Sequence, residues 1–372
     1  MSSELDILIL TAGFGDGHNS AARNLESALS QQCQTRCLDP CALGAPFLNE
    51  RLRSFYRGVT THAPWLWRRI YLSTEKQDFS RERLPMMRKP EQKLHELLLE
   101  LKPRAIVSTY PLYPYFLERS FKRGVPRVPV FTVVTDSIEI NAAWRKAPTD
   151  YWLVTDENTR QSLIQQGLGE TSVIETGFPV HPHFSDLSPI TADDPLEPFR
   201  VIYFPTAKKP HVRRIAREIL NATSENVHLT VVLGRNMRKL YKRTKEIKLD
   251  YPGRVKIKGW TKRVPELLTN HHLVVGKAGG ATVHESLAAA CPMLIHHLVP
   301  GQEEGNLTLL RKLNGGYLAD SPGALDSHIR EMLADKAAGW RAMKRSLTRV
   351  ARPGAAHTAA NFILSQLEAG KS

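Results

Sequence analysis

Short apolar runs alternate with longer amphipathic stretches along most of this chain, and the alternation falls into two series. In the first, runs at Asp6–Leu10, Arg104–Ser108, Val128–Val134, Tyr151–Val154 and Ser172–Thr176 predict strands, with helical periodicity between most of them. Thr35 to Pro40 reads as a further strand leading into a turn. From Ser185 to Pro198 the chain turns rich in Pro, Asp and Ser and loses its periodicity, as a linker does. A second series begins at Arg200, with strands near Val201–Phe204, Leu229–Leu233, Val255–Ile257, Leu273–Val275 and Met293–His296, and with helices from about Pro322 to the end. Such alternation predicts parallel sheets covered by helices, an α/β class in two halves.

Length agrees with two halves, because 372 residues exceed the size at which one core stops growing. No run of about 18 uncharged apolar residues occurs, so no helix is expected to span a bilayer. Met1 to Leu10 carries Glu4 and Asp6 and reads as a first strand, not a signal peptide, which predicts a cytoplasmic protein. Fifty-one basic against thirty-seven acidic residues leave a net charge of +14, which implies attraction to a polyanion, nucleic acid or anionic lipid. Between Arg51 and Lys93, cations interleave with Phe55, Tyr56, Trp65, Trp67, Tyr71, Phe79, Met86 and Met87. That mixture, with Arg68 and Arg69 beside the tryptophans, predicts a segment lying at a lipid headgroup layer. No nucleic-acid motif accompanies it. Cys33, Cys37 and Cys41 sit four apart with no histidine nearby and are expected to be reduced thiols, not metal ligands.

Candidate chemistry concentrates at two places. After the first strand, Gly13, Gly15 and Gly17 are spaced G-x-G-x-G, which departs from the dinucleotide fingerprint, and His18 follows at the start of a helix. An exposed imidazole there, with an ordinary pKa near 6.5, could take a proton from an attacking hydroxyl. Asp136 ends the strand Val133-Val134-Thr135 and is expected either to orient His18 or to bind an acceptor hydroxyl itself. The second place is Gly276–Asn306. Gly279 and Gly280 open a helix expected from about Thr282, whose amide donors and dipole suit a phosphate, with Thr282 adding a hydroxyl. Glu285 is expected in the first turn as a partner for a ribose diol or the dipole, and Gln302 and Glu303 as partners for sugar hydroxyls. Arg235, after a strand, offers charge to a diphosphate, and Gly259-Trp260 a turn with stacking area.

The segment GKAGGATVHESLAAACPMLIHHLVPGQEEGN, with Asn306 at its end, resembles the nucleotide-sugar site of glycosyltransferase family 28, in particular its lipid glycosyltransferases. Gly-x-Gly-His at Gly15–His18, Gly177-Phe178-Pro179-Val180, Gly234-Arg235-Asn236 and Gly259-Trp260 resemble further family elements. The resemblance implies the GT-B fold, two Rossmann-like domains facing a central cleft. It places an acceptor- and membrane-binding domain at 1–184, a linker at 185–198, a UDP-sugar-binding domain at 199–352 and a last helix, 353–372, returning to the first domain. It implies an inverting, metal-independent and cofactor-free transfer of a hexose from a UDP-sugar to a lipid such as diacylglycerol, on an anionic membrane surface at the inner face of the cell membrane. His18 and Asp136 would be catalytic. Arg235, Trp260, Gly279, Gly280, Thr282, Glu285, Gln302, Glu303 and Asn306 would hold the donor, and Gly17, Asn141, Trp144, Trp65, Trp67, Arg68 and Arg69 would serve the acceptor and membrane side. Two departures stand out: Asn141 replaces the histidine of a His-x-x-Trp pattern, and Tyr203–Pro210, with Lys208 and Lys209, replaces a glycine-rich loop. A UDP-sugar epimerase, a basic nucleic-acid-binding protein and a catalytically silent homologue remain as alternatives.

Overall fold

The computed structural model describes residues 5–206, 209–222 and 226–369. Met1–Glu4 of the opening segment and Ala207–Lys208 of the departing loop lie outside the described residues, as do the side chains of Lys209 and Pro210. The chain forms two compact units, Met1–Pro182 with Pro300–Gly305 and Gly354–Ser372, and His183–Val299 with Asn306–Pro353.

In the first unit the strands are β1 (Ile7–Leu10), β2 (Thr35–Leu38), β3 (Ala105–Ser108), β4 (Val130–Val133), β5 (Tyr151–Val154) and β6 (Val173–Glu175), all parallel, in the order β2-β1-β3-β4-β5-β6. Every residue of β1, β3 and β4 is buried, the signature of parallel strands covered on both faces. Helices α1 (Asp16–Leu29), α2 (Pro40–Gly44), α3 (Pro46–His62), α4 (Pro64–Thr74), α5 (Arg88–Leu101), α6 (Tyr113–Phe121), α7 (Ala142–Arg145) and α8 (Glu157–Gln165) connect them. The last helix, α15 (Ala355–Ala369), packs on α1. Both bury alanines, Ala21, Ala22 and Ala28 on one and Ala355, Ala356, Ala359 and Ala360 on the other, small residues that permit close approach. Phe362 adds an edge contact to Tyr151, and Gln366 accepts from the Tyr151 hydroxyl.

The second unit repeats the plan with β7 (Phe199–Tyr203), β8 (Val227–Val232), β9 (Val255–Lys258), β10 (Leu273–Lys277), β11 (Met293–His297) and β12 (Gly316–Leu318), in the order β12-β11-β10-β7-β8-β9. Its helices are α9 (Lys209–Asn221), α10 (Met237–Asp250), α11 (Val264–Thr269), α12 (Gly280–Ala288), α13 (Glu304–Lys312) and α14 (Ala324–Val350). The backbone leaves helical geometry at Ala334–Ala337 within α14. The periodicity of the sequence did not reveal β12, a three-residue edge strand that pairs with β11 through Gly316, Tyr317 and Leu318. Lys344 on α14 is buried and gives its ammonium to the carbonyls of Ala289 and Ala290, so a fixed cation meets the carboxyl end of α12.

Candidate functional site

Three strand ends of the first sheet converge on His18. The turn after β1 is held by Asp39, whose carboxylate accepts from the Gly13 amide at 3.2 Å, and by Arg53, whose Nε donates to the Gly13 carbonyl at 3.0 Å. Gly15, at φ 103°, adopts a backbone conformation that a side chain would strain, and α1 starts directly after it. His18 is consequently the third residue of α1, and it is only 7% exposed, not the solvent-facing imidazole expected from the sequence. Its ring lies edge-on to Tyr110, beyond β3, and 5.8 Å from Trp144. Burial pushes its pKa down to about 4, so the imidazole is neutral at pH 7.

Asp136 does not orient this ring through a hydrogen bond. Thr135 does, with its hydroxyl 3.0 Å from Nδ1, while the Asp136 carboxylate accepts from Trp144 Nε1 at 2.8 Å. The ring's Nε2 is left without a protein partner among the described residues. Burial, and to a lesser degree the charge of Glu303, raise Asp136 to about 6. The strand-end pattern Thr135-Asp136 therefore serves two different partners. Sequence reasoning missed Thr135, Tyr110 and Thr109, whose hydroxyl donates to the His18 carbonyl. The available signal was their place after β3 and β4, at the carboxyl edge where α/β sheets bind ligands.

Gly17 has open space around it. Trp144, which is 2% exposed, and Asn141, which is 4% exposed, are internal. Asn141 caps α7 through the Ala143 amide and donates to Thr74 and to the Tyr71 carbonyl, tying α4 to the Asp136 loop. Its departure from the histidine pattern thus has a structural use. The segment Arg51–Lys93 divides: Phe79 and Met87 belong to the core, Tyr56, Trp67 and Tyr71 are half-buried, and Phe55, Trp65 and Met86 are exposed. No residue of α4 is buried, and Phe47, on α3, is 89% exposed. Arg51, Arg57, Arg68 and Arg69 are exposed on the same pair of helices.

Pro300–Gly305 gathers with the first unit, although the alternation of the sequence assigned it to the second half. Three contacts explain this. Tyr56 donates to Gln302 at 3.0 Å, Arg68 approaches Glu304 at 3.9 Å, and Gly305 lies so close to Ser137 that a methyl group there would collide with its carbonyl oxygen. Glu303 is buried near Asp136.

In the second unit, α12 begins at Gly280 with Gly279, in extended geometry, as its cap residue, earlier than the expected Thr282. Glu285 is therefore in the second turn and half-buried, away from the first-turn dipole position. No side chain caps the helix start, so the amides of its first turn are open to a ligand. Asn306 is buried there, with its amide nitrogen donating to the Ala278 carbonyl and its Oδ1 unpartnered. Arg235 and Trp260 are exposed, the latter by 62%. Among the described residues no cluster of three or more His, Cys, Asp or Glu could hold a metal, and the cysteines are free thiols.

Residues 18–180 match the family model of monogalactosyldiacylglycerol (MGDG) synthase. A processive diacylglycerol beta-glucosyltransferase of Bacillus licheniformis is 24% identical, the match covering 90% of this chain and 88% of the relative. This chain is similar to glycosyltransferases that act on diacylglycerol. Among solved structures, MurG of Acinetobacter baumannii superposes with a TM-score of 0.64 at 14% identity, covering 97% of this enzyme and 99% of that chain. A UDP-GlcNAc 2-epimerase from Neisseria meningitidis, bound to UDP-GlcNAc, gives 0.59 at 11% identity over 98% and 99%. The fold of this glycosyltransferase is accordingly GT-B, built from two Rossmann-like units. An epimerase shares that fold, so the assignment to glycosyltransferases rests on the family model and the sequence relative. No helix among the described residues is long and apolar enough to cross a membrane.

Proposed function

We propose that the enzyme transfers a hexose from a UDP-sugar to the hydroxyl of diacylglycerol, with inversion at the anomeric carbon. The observation that carries this reading is the pairing of a neutral His18 with a carboxylate, Asp136, whose pKa of about 6 lies close to neutrality. A general base is most effective with a pKa near the working pH, which favours Asp136 as the proton acceptor. His18, through Nε2, is suited to hydrogen-bond the same acceptor oxygen and fix its approach. Thr135 and Trp144 position the two groups.

Departure of UDP falls to the second unit. The uncapped amides at Gly280, the dipole of α12 and the Thr282 hydroxyl supply donors for the diphosphate, and the exposed Arg235 supplies a positive charge. These groups meet the developing charge, so the reading requires no metal ion or other cofactor. The Asn306 Oδ1 offers a buried acceptor, Glu285 takes the ribose, and Trp260 lends its ring to the uracil. Gln302 and Glu303 read the hexose.

The lipid side is supported by α3 and α4, where Phe47, Phe55, Trp65 and Leu72 are exposed among arginines. Apolar wedges flanked by cations suit an anionic membrane surface, at its inner face where a nucleotide sugar is available. Nucleic acid is not part of this reading. To test it, UDP-hexoses are incubated singly with the enzyme and diacylglycerol-containing anionic vesicles, and the lipids are resolved by mass. A hexosyl-diacylglycerol of β configuration from an α-linked donor is expected. An epimerised nucleotide sugar formed without acceptor, or no lipid product from any donor, would overturn it.

A further inference from the structure

A cavity of about 370 Å³ in the second unit is lined by Arg200, Arg254, Lys256 and Lys258, with His228 and His271 between them and no carboxylate. It runs from the amino ends of β7 and β8 along β9, whereas the donor groups of α12 follow the carboxyl end of β10. Strand register explains how the charges meet. Arg200 pairs with His228 and Thr230 with Lys256, and alternate residues of a strand share a face, so Lys258 joins them.

Among the described residues none of these four cations has an ion pair, and two are held in place by carbonyls. Arg200 Nε donates to the Asn270 carbonyl at 2.8 Å, and Arg254 donates to the carbonyls of Val227 at 3.0 Å and Leu220 at 2.7 Å. These partners are neutral, so the guanidiniums are oriented without being neutralised. His271, bonded to the Leu267 carbonyl and to Thr230, adds no competing negative charge. Burial and then the charges of Arg254, Lys256 and Arg200 hold His228 below its ordinary pKa, a local sign of the positive field. Cations gathered on one face without counter-charges repel one another, and a bound anion removes that cost.

We propose that this cavity is an anion site that binds a phosphoryl group, separate from the site for the donor diphosphate. The group can belong to a phospholipid headgroup or to a free phosphate, and both present the same oxygen acceptors to a guanidinium and ammonium cluster.

The test uses the full chain with UDP present at saturation, so that the donor site is occupied. Inorganic pyrophosphate is titrated while the His228 imidazole signal is followed by NMR, with sodium chloride at matched ionic strength as the control; the signal is assigned by its loss in His228→Gln. In parallel, sedimentation is measured with phosphatidylcholine vesicles with and without phosphatidylglycerol. The double variant Lys256→Glu, Lys258→Glu replaces side chains on an edge strand and is compared in both arms. Pyrophosphate moving the His228 signal, with at least about tenfold weaker binding in the variant, supports the site and a free-phosphate source. Phosphatidylglycerol-dependent sedimentation that the variant weakens similarly supports the site and a headgroup source. If the variant weakens neither, or chloride reproduces the His228 shift, the proposal is overturned.

Discussion

Replacing Asp136 by Asn separates the two candidates for the base. Burial moves the carboxyl from its ordinary 3.8 to about 6, a difference on the order of 3 kcal/mol between protonated and ionised forms. A base with that pKa is about nine-tenths ionised at pH 7 and about one-tenth at pH 5, so kcat/KM should fall roughly tenfold between them. His18, at about 4, is neutral throughout this interval, and a mechanism that used it as the sole base would lose only about a tenth of its rate by pH 5. The assay is initial-rate UDP release with diacylglycerol vesicles and subsaturating UDP-hexose from pH 4.5 to 8. Asp136→Asn keeps an acceptor for Trp144 Nε1 but cannot take a proton, and a loss of about two to four orders of magnitude is expected. Its stability supplies a second readout with the opposite sign. A carboxyl whose folded pKa is raised costs stability as pH rises through about 6, so the variant should melt above the wild type at pH 7 and lose that advantage near pH 4. A flat rate profile from pH 5 to 7, or near-normal turnover in Asp136→Asn, would refute the assignment.

Tyr56→Phe removes the hydroxyl that donates to Gln302, and with it about 1 kcal/mol of restraint on the 300–305 loop. The expected result is a several-fold rise in KM for the UDP-hexose with kcat less affected, read from steady-state kinetics. Glu285→Ala should weaken UDP by about 1 to 3 kcal/mol in calorimetry, the loss of hydrogen bonds to the ribose; unchanged affinity would leave this half-buried carboxylate with no part in donor binding. Phe47→Ser with Trp65→Ser should reduce sedimentation with anionic vesicles about tenfold or more while leaving thermal stability nearly unchanged, because both rings are largely exposed. A marked fall in melting temperature would show that these side chains pack within the protein.

Much of this enzyme follows from local pattern. Uninterrupted apolar runs such as Ile7–Leu10 and Val130–Val133 can be satisfied only between two helical layers, so their strands and parallel pairing were legible from composition and spacing. The glycine turn before α1 was legible too, since the positive φ at Gly15 restricts the residue that can stand there. Burial was not legible. His18 reads in the sequence as a helix-start residue with an ordinary pKa, and only the packing of Tyr110 and Trp144, about 90 and 126 residues away, makes it a neutral imidazole. Likewise Thr135 and Asp136 are adjacent in the chain yet face different partners, because successive residues leaving a strand point to opposite sides. The cations of Arg200, Arg254, Lys256 and Lys258 are scattered among many others in a chain of net charge +14, and sheet register, with the carbonyls that hold Arg254, brings them to one cavity. Sequence determines the elements through nearest-neighbour sterics and hydrophobic period. Tertiary structure determines which charges lose their water and which meet, and the chemistry follows from that.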